Sequence, residues 1–247
     1  MGLFFILAVG LAAGVISGII GTGSSMMLVP VLAYVYGPKE AVPIMAVASV
    51  MANLSRVLAW WREVDWRAFG AYAVTGAPAA MLGAKTLLVL PAHTIDLAIG
   101  LFLLLMIPVR RWLQRHLVLL RLWHLAVLGA VIGFLTGIVV STGPISVPVF
   151  IGFGLVKGAF LATEAASSLA IYAGKIATFR SAGALPTEDV LKGLVVGLSL
   201  MGGAFMAKPF VLRLAPETFR HVMDALMLVS GLSMIWNALW AASPGYC

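Results

Sequence analysis

One cysteine, Cys247, occurs in the 247 residues, so the chain makes no intrachain disulfide, holds no thiolate metal cluster and has no buried cysteine nucleophile. Charge is scarce as well. Asp, Glu, Lys and Arg supply 10% of the residues, against roughly 25% in an average soluble domain. The histidines His93, His116, His124 and His221 fall at or beside the ends of apolar segments. They form no His, Asp or Cys set at ligand spacing, which leaves a tight metal site without support. No Gly-Lys-Ser/Thr phosphate loop and no Ser nucleophile elbow are present. Together these absences exclude redox chemistry, ATP-driven work and the common hydrolase mechanisms. The chain reads as a non-enzyme with no cofactor and no metal.

Apolar residues make up 62% of the chain, in segments over about 3–20, 24–36, 41–60, 68–90, 94–109, 124–140, 144–155, 158–179, 189–212 and 217–241. Most are long enough to cross roughly 30 Å of hydrocarbon at about 1.5 Å per residue, which predicts an all-α, polytopic membrane protein. The first run begins at Leu3 with no Lys or Arg before it and no evident cleavage site, so it is expected to be structure rather than a cleaved leader. The net charge of +7 lies mainly in short gaps, with Arg110, Arg111, Arg115 and Arg121 in the central one. That placement fits a positive-inside topology and excludes a nucleic-acid surface. Trp60, Trp61, Trp66, Trp112 and Trp123 flank segments as an interfacial aromatic belt does.

Segments 24–36 and 144–155 are too short to span, and each follows a glycine-rich, hydroxyl-rich break. Gly14-Val-Ile-Ser-Gly-Ile-Ile-Gly-Thr-Gly-Ser-Ser-Met-Met-Leu-Val-Pro30 returns, altered, as Gly133-Phe-Leu-Thr-Gly-Ile-Val-Val-Ser-Thr-Gly-Pro-Ile-Ser-Val-Pro148. The correspondence continues. Lys39-Glu-Ala41 aligns with Lys157-Gly-Ala159, Ser49 with Ser167, Arg62 with Arg180, Gly70 with Gly193, Ala84-Lys85 with Ala207-Lys208 and Pro91 with Pro216. Two repeats are therefore expected, 1–107 and 124–247, joined by a basic cytoplasmic connecting loop, 108–123. Each is a broken or re-entrant hairpin followed by three transmembrane helices. Three crossings after a hairpin make each half odd, so the second half is inverted, and the charge distribution slightly favours that arrangement over a parallel one.

Broken helices at matched places mark transport sites, because freed backbone groups are tolerated in lipid only where they line a cavity. Gly21, Thr22, Gly23, Ser24 and Ser25 in the first break, and Ser141, Thr142 and Gly143 in the second, can offer N–H and hydroxyl donors at a helix N-terminus, which favours anions. Close helix packing through the same glycines is the competing explanation. Beside the breaks run two polar faces. Ser49, Asn53 and Arg56 share one side of a helix, and Glu164, Ser168, Tyr172 and Lys175 share one side of its counterpart. Arg56 and Lys175 differ by one position in the repeat alignment, which suggests cations approaching a shared centre. Glu164 either carries a coupling proton or neutralises Lys175. Lys85 and Lys208 stand near segment ends and are expected to snorkel, and Asp96, Asp224 and His221 are expected to reach water.

At Gly14-x-x-Ser17-Gly18-x-x-Gly21-x-Gly23 followed by Pro30, and at its second copy, the chain resembles the TauE/SafE-type sulfite exporter family of membrane transporters over nearly its whole length. The resemblance implies a multi-pass permease of the cytoplasmic (inner) membrane that moves a small anion such as sulfite, sulfoacetate or a related sulfonate by alternating access. Its partners would be that anion and membrane lipid, with a homo-oligomer left open. Where family sequences commonly run Gly-x-Gly-Gly-Gly, this chain has Gly21-Thr22-Gly23-Ser24-Ser25, exchanging backbone closeness for hydroxyl donors. An anion-selective channel, a permease for another small anion or a cation, and a membrane accessory subunit remain as alternatives.

Overall fold

The apolar segments fold as helices separated by turns whose residues dictate where each helix stops. A computed structural model describes residues 8–15, 24–116, 120–139, 142–207 and 216–241, and every regular element among them is helical. These are α1 (8–15), α2 (Ser24–Tyr36), α3 (Pro38–Trp60), α4 (Trp66–Val89), α5 (Ala92–His116), α6 (Leu122–Ile138), α7 (Gly143–Gly152), α8 (Lys157–Ser181), α9 (Thr187–Ala207) and α10 (Pro216–Ala241), with a 3-10 turn at Trp61–Glu63. α2 and α7 start within the two expected breaks, at Ser24 and Gly143. Both are short, 13 and 10 residues, so α7 extends about 15 Å, half of a hydrocarbon core. α5 runs on through Pro108 to His116, and so takes in the first part of the stretch expected to connect the halves as a loop.

Local chemistry explains the boundaries. Gly37 and Gly154 turn the chain out of α2 and α7 at φ 82° and 100°, a region that side chains with a Cβ resist. Pro38 then opens α3, where a missing N–H costs nothing. Asp65 caps α4 by accepting from the backbone N–H groups of Arg67 and Ala68, each at 3.0 Å. Its own N–H donates to Thr163 Oγ1 at 2.9 Å, fixing the turn before α4 to α8 in the other half.

The short helix α7 doubles back. Thr142, just before it, meets Thr136 near the end of α6 at 2.5 Å between hydroxyls. At its other end, Gly152 C=O accepts from Leu120 N–H, ahead of α6, at 2.8 Å. The hairpin α6–α7 therefore begins and ends at one side.

Glycines set how closely the longer helices approach. A Cβ on Gly137 would lie 2.6 Å from Gly83 Cα, and one on Gly133 would lie 2.7 Å from Gly76 Cα, so α4 and α6 touch backbone to backbone, as small residues permit in membranes. Thr75 Oγ1 adds a 2.6 Å hydrogen bond to Ala126 C=O across the same seam. The equivalent contact packs Gly14 of α1 against Leu200 and Gly203 of α9. Contact order along the chain gives the directions. α4 runs parallel to α6 and α8, and α9 runs parallel to α1 and α3. By contrast, Arg56 meets Glu164 while Trp60 lies against Gly158, so α3 and α8 are antiparallel. Gly100 against Gly231 and Arg111 against Asp224 make α5 and α10 antiparallel too. Exchanging α1–α5 with α6–α10 maps these neighbours, and the α5–α7 and α10–α2 packings, onto one another.

Candidate functional site

The centre of the molecule lies where α3 and α8 cross beside the start of α7. Arg56 points from α3 to Glu164 of α8, with Nη1 2.9 Å from Oε2. Nη2 of the same guanidinium donates to Asn53 Oδ1, and Asn53 Nδ2 donates to Ser49 C=O at 2.7 Å. The second carboxylate oxygen is also occupied. Glu164 Oε1 accepts from Ser168 Oγ at 3.0 Å and from Ser146 Oγ of α7 at 3.2 Å. Ser146 Oγ lies 3.3 Å from Gly143 C=O as well, so its single proton is shared between two acceptors. The side chains of Glu164 and Arg56 are 3% and 16% exposed, and a pair so buried persists only because each charged atom has partners.

Beside this cluster is a small polar cavity of about 20 Å³, room for roughly one water molecule. Thr142, Gly143 and Ser146 of α7 face Glu164, Ser168 and Tyr172 of α8 across it, and Tyr72 of α4, Thr136 of α6 and Ile171 close it. The ring of Tyr72 packs on Phe150, centroids 4.9 Å apart. At the α7 N-terminus, Pro144 has no N–H to give, while the N–H groups of Ile145 and Ser146 both turn to Thr142 C=O, at 2.9 and 3.0 Å. The Ser146 hydroxyl is a donor that α7 turns toward α8.

Lys175 has a different setting. Fully buried, it donates from Nζ to the carbonyls of Thr136 and Val139 at 2.6 and 2.8 Å, the last carbonyls of α6. A helix end at membrane depth leaves such groups without intrahelical partners, and an ammonium both satisfies them and offsets the negative end of the helix dipole. Sequence reasoning expected Lys175 to join Arg56 at one centre or to be neutralised by Glu164. The structure instead pairs Glu164 with Arg56. Lys175 lies eleven residues, about 16 Å, further along α8, whereas antiparallel packing brings Arg56 alongside.

Of the other predicted residues, Thr142, Gly143, Ser168 and Tyr172 line the cavity, and Ser49 and Asn53 sit behind Arg56. Ser25 is buried on α2 without lining it, and Ser24 opens α2. Gly21, Thr22, Gly23 and Ser141 lie outside the described residues, as does Lys208. Lys85 is exposed, in keeping with snorkelling. Asp96 was expected to reach water, but packing at the start of α5 leaves it 7% exposed, with Oδ1 unbonded. Asp224 is paired to Arg111.

Three residues went unnoticed in the sequence. Ser146 and Thr136 stand inside the quoted motif and carried a signal, since Thr136 matches Ser17 of the first copy. Tyr72 carried none, because only tertiary packing of α4 on α8 brings it there. A further matched pair emerges from the fold: Ser49 Oγ and Ser167 Oγ, aligned with each other in the sequence, are both buried and both without a hydrogen-bond partner among the described residues. Among the described residues no group of three His, Cys, Asp or Glu side chains comes together.

Lys39–Glu63, Trp66–Val89 and Ala92–Leu113 are long and apolar enough to cross a membrane, with shorter apolar helices at Leu122–Ile138, Gly143–Gly152 and Met227–Leu239. Large apolar side chains such as Val74, Val89, Leu198 and Val229 face outward, while the hydroxyls and the ion pair lie inside. These features define a multi-pass helical membrane protein with a polar centre. The sulfite exporter TauE/SafE family model matches residues 6–234, and the chain belongs to that family of membrane transport proteins. Among curated proteins and solved structures, none matches it.

Proposed function

We propose that the protein is a secondary transporter of the cytoplasmic membrane that moves a small anion, sulfur-containing or organic, of the size of sulfite, a sulfonate or sulfoacetate. The observation that carries this reading is the convergence of Arg56, Ser146 and Ser168 on a single oxyanion group at the start of α7. Donors arranged to hold one carboxylate can hold another oxyanion. Family membership supports an exporter-type permease, and the buried position between halves supports a midplane site.

The two repeats are inverted in this reading. A hairpin that returns to its starting side plus three crossings gives an odd half, and the antiparallel course of α3 against α8 and of α5 against α10 supports the same relation. Access alternates as one half rocks against the other around the α3–α8 crossing. The test is flux in proteoliposomes: an outward gradient of sulfite or methanesulfonate should drive saturable movement of the labelled anion that Arg56→Ala reduces at least tenfold. Folded protein that moves none of sulfite, sulfonates or small carboxylates under any gradient would sink the proposal.

A further inference from the structure

We propose that the Glu164 carboxylate is a tethered stand-in for the transported anion, so that the anion enters only when Glu164 takes up a proton, and the two cross together. This rests on the anion-transport reading above and adds its coupling. The geometry is that of an occupied site. Both oxygens of Glu164 already hold the donors an oxyanion would use, Arg56 on Oε2 and Ser146 and Ser168 on Oε1. The adjoining cavity has room for about one water, whereas sulfite or a sulfonate is several times larger. Substrate therefore displaces the carboxylate rather than joining it.

Charge balance decides how. Within the cluster the charges of Arg56 and Glu164 cancel, while the Lys175 ammonium is committed to the carbonyls of Thr136 and Val139. Adding a monoanion while Glu164 stays ionised would set two anions against the one Arg56 guanidinium in a water-poor interior, an arrangement heavily penalised there. Protonation of one carboxylate oxygen converts Glu164 to a neutral acid and breaks its ion pair with Arg56. The guanidinium and the two serines then bind the anion, and the site is again neutral. On release, the proton leaves and the carboxylate returns to Arg56. One proton and one monoanion thus move in the same direction with no net charge.

Of the charged groups around Glu164, Arg56 is the one paired with its carboxylate. α3 presents Arg56, α4 presents Tyr72, and α8 itself presents Tyr172. α7 has no titratable side chain and α6 has only His124, near its start. Glu63 of the 3-10 turn lies against Gly158, six residues earlier on α8, Asp65 beside Thr163 is engaged in capping α4, and Lys175 is held on the carbonyls of Thr136, at the cavity wall, and Val139.

The probe is methanesulfonate, which stays ionised across the usable pH range. Thermal-shift titration of the wild type should show binding that tightens about tenfold for each unit by which pH falls. In proteoliposomes holding a pH dye, its influx should carry protons one for one and ignore an imposed membrane potential. Glu164→Gln should bind methanesulfonate at neutral pH as tightly as the wild type does in acid, lose the pH slope and, where it transports, move charge without protons. Binding and flux in the wild type that are flat with pH and carry no protons would overturn the proposal while leaving the anion site standing, and this arm needs no variant to fold. A Glu164→Gln protein that keeps the wild-type slope would overturn it too. No binding of methanesulfonate, sulfite or acetate to folded wild type at any pH would instead remove the anion reading and this proposal with it.

Discussion

A single buried ammonium holds the α6–α7 break together. Lys175 satisfies two carbonyls that the end of α6 cannot, and removing one partner of buried polar groups exposes the full desolvation cost of the other. Lys175→Met, similar in length and apolar, should lower stability by about 2–4 kcal/mol, read as a marked fall in melting temperature in detergent. Ser49 and Ser167 should behave oppositely. Their hydroxyls are buried and unbonded among the described residues, so Ser49→Ala or Ser167→Ala should leave stability unchanged or raise it by up to about 1 kcal/mol. A clear loss in either would mean that its hydroxyl is bonded in the working protein. Legibility differed among these residues for physical reasons. Arg56 and Glu164 stood out as charges in apolar runs, but their pairing depends on α3 and α8 running antiparallel, and no spacing within one helix carries that. Equal periodicity on α8 made Lys175 look like a partner of Glu164, although Glu164 is paired with Arg56 and Lys175 is bonded to the carbonyls of Thr136 and Val139.

Helix α6 owes its position to glycine. The seam with α4 has no space for side chains, since a Cβ on Gly133 would stand 2.7 Å from Gly76 Cα, so Gly133→Val should force the helices apart and abolish monodisperse folded protein. Gly70→Val is the matched control, because nothing lies within 4 Å of a Cβ there. Fluorescence-detected size exclusion of the two variants separates the outcomes, and equal behaviour would refute the tight seam. Element boundaries were the most legible part of the fold. Apolar runs 24–36 and 158–179 became Ser24–Tyr36 and Lys157–Ser181, because Gly, Pro and hydroxyl residues punctuate them. The basic stretch from 108 was misread in part: its arginines looked like loop, yet long basic side chains are compatible with a helix end that carries on into the interface, and α5 reaches His116.

For the whole molecule, the proposed inversion makes a direct prediction. Lys39 and Lys157 are repeat equivalents, at the beginnings of α3 and α8, and inverted halves put them on opposite faces of the membrane. In a Cys247→Ser background, otherwise free of cysteine, an impermeant maleimide should label Lys39→Cys from outside and Lys157→Cys only after the membrane is opened. Labelling of both from one side would rule out the inverted arrangement. The repeat relation is read from the recurrence of the motif residues, whereas the helix directions are not written in composition. They come from which glycine meets which. The repeats also differ where they meet: α3 brings Ser49, Asn53 and Arg56 to the centre, whereas α8 brings Glu164, Ser168 and Tyr172. A carrier with identical halves would have mirror-equivalent outward and inward states of equal energy. In the alternating-access carrier proposed above, acid on one half and base on the other lifts that degeneracy, so the resting protein should favour one orientation and its half-saturation concentrations should differ between the two sides of the membrane. The ratio of those concentrations is a property of this asymmetry, measurable in vesicles of each orientation, and not of the imposed gradient.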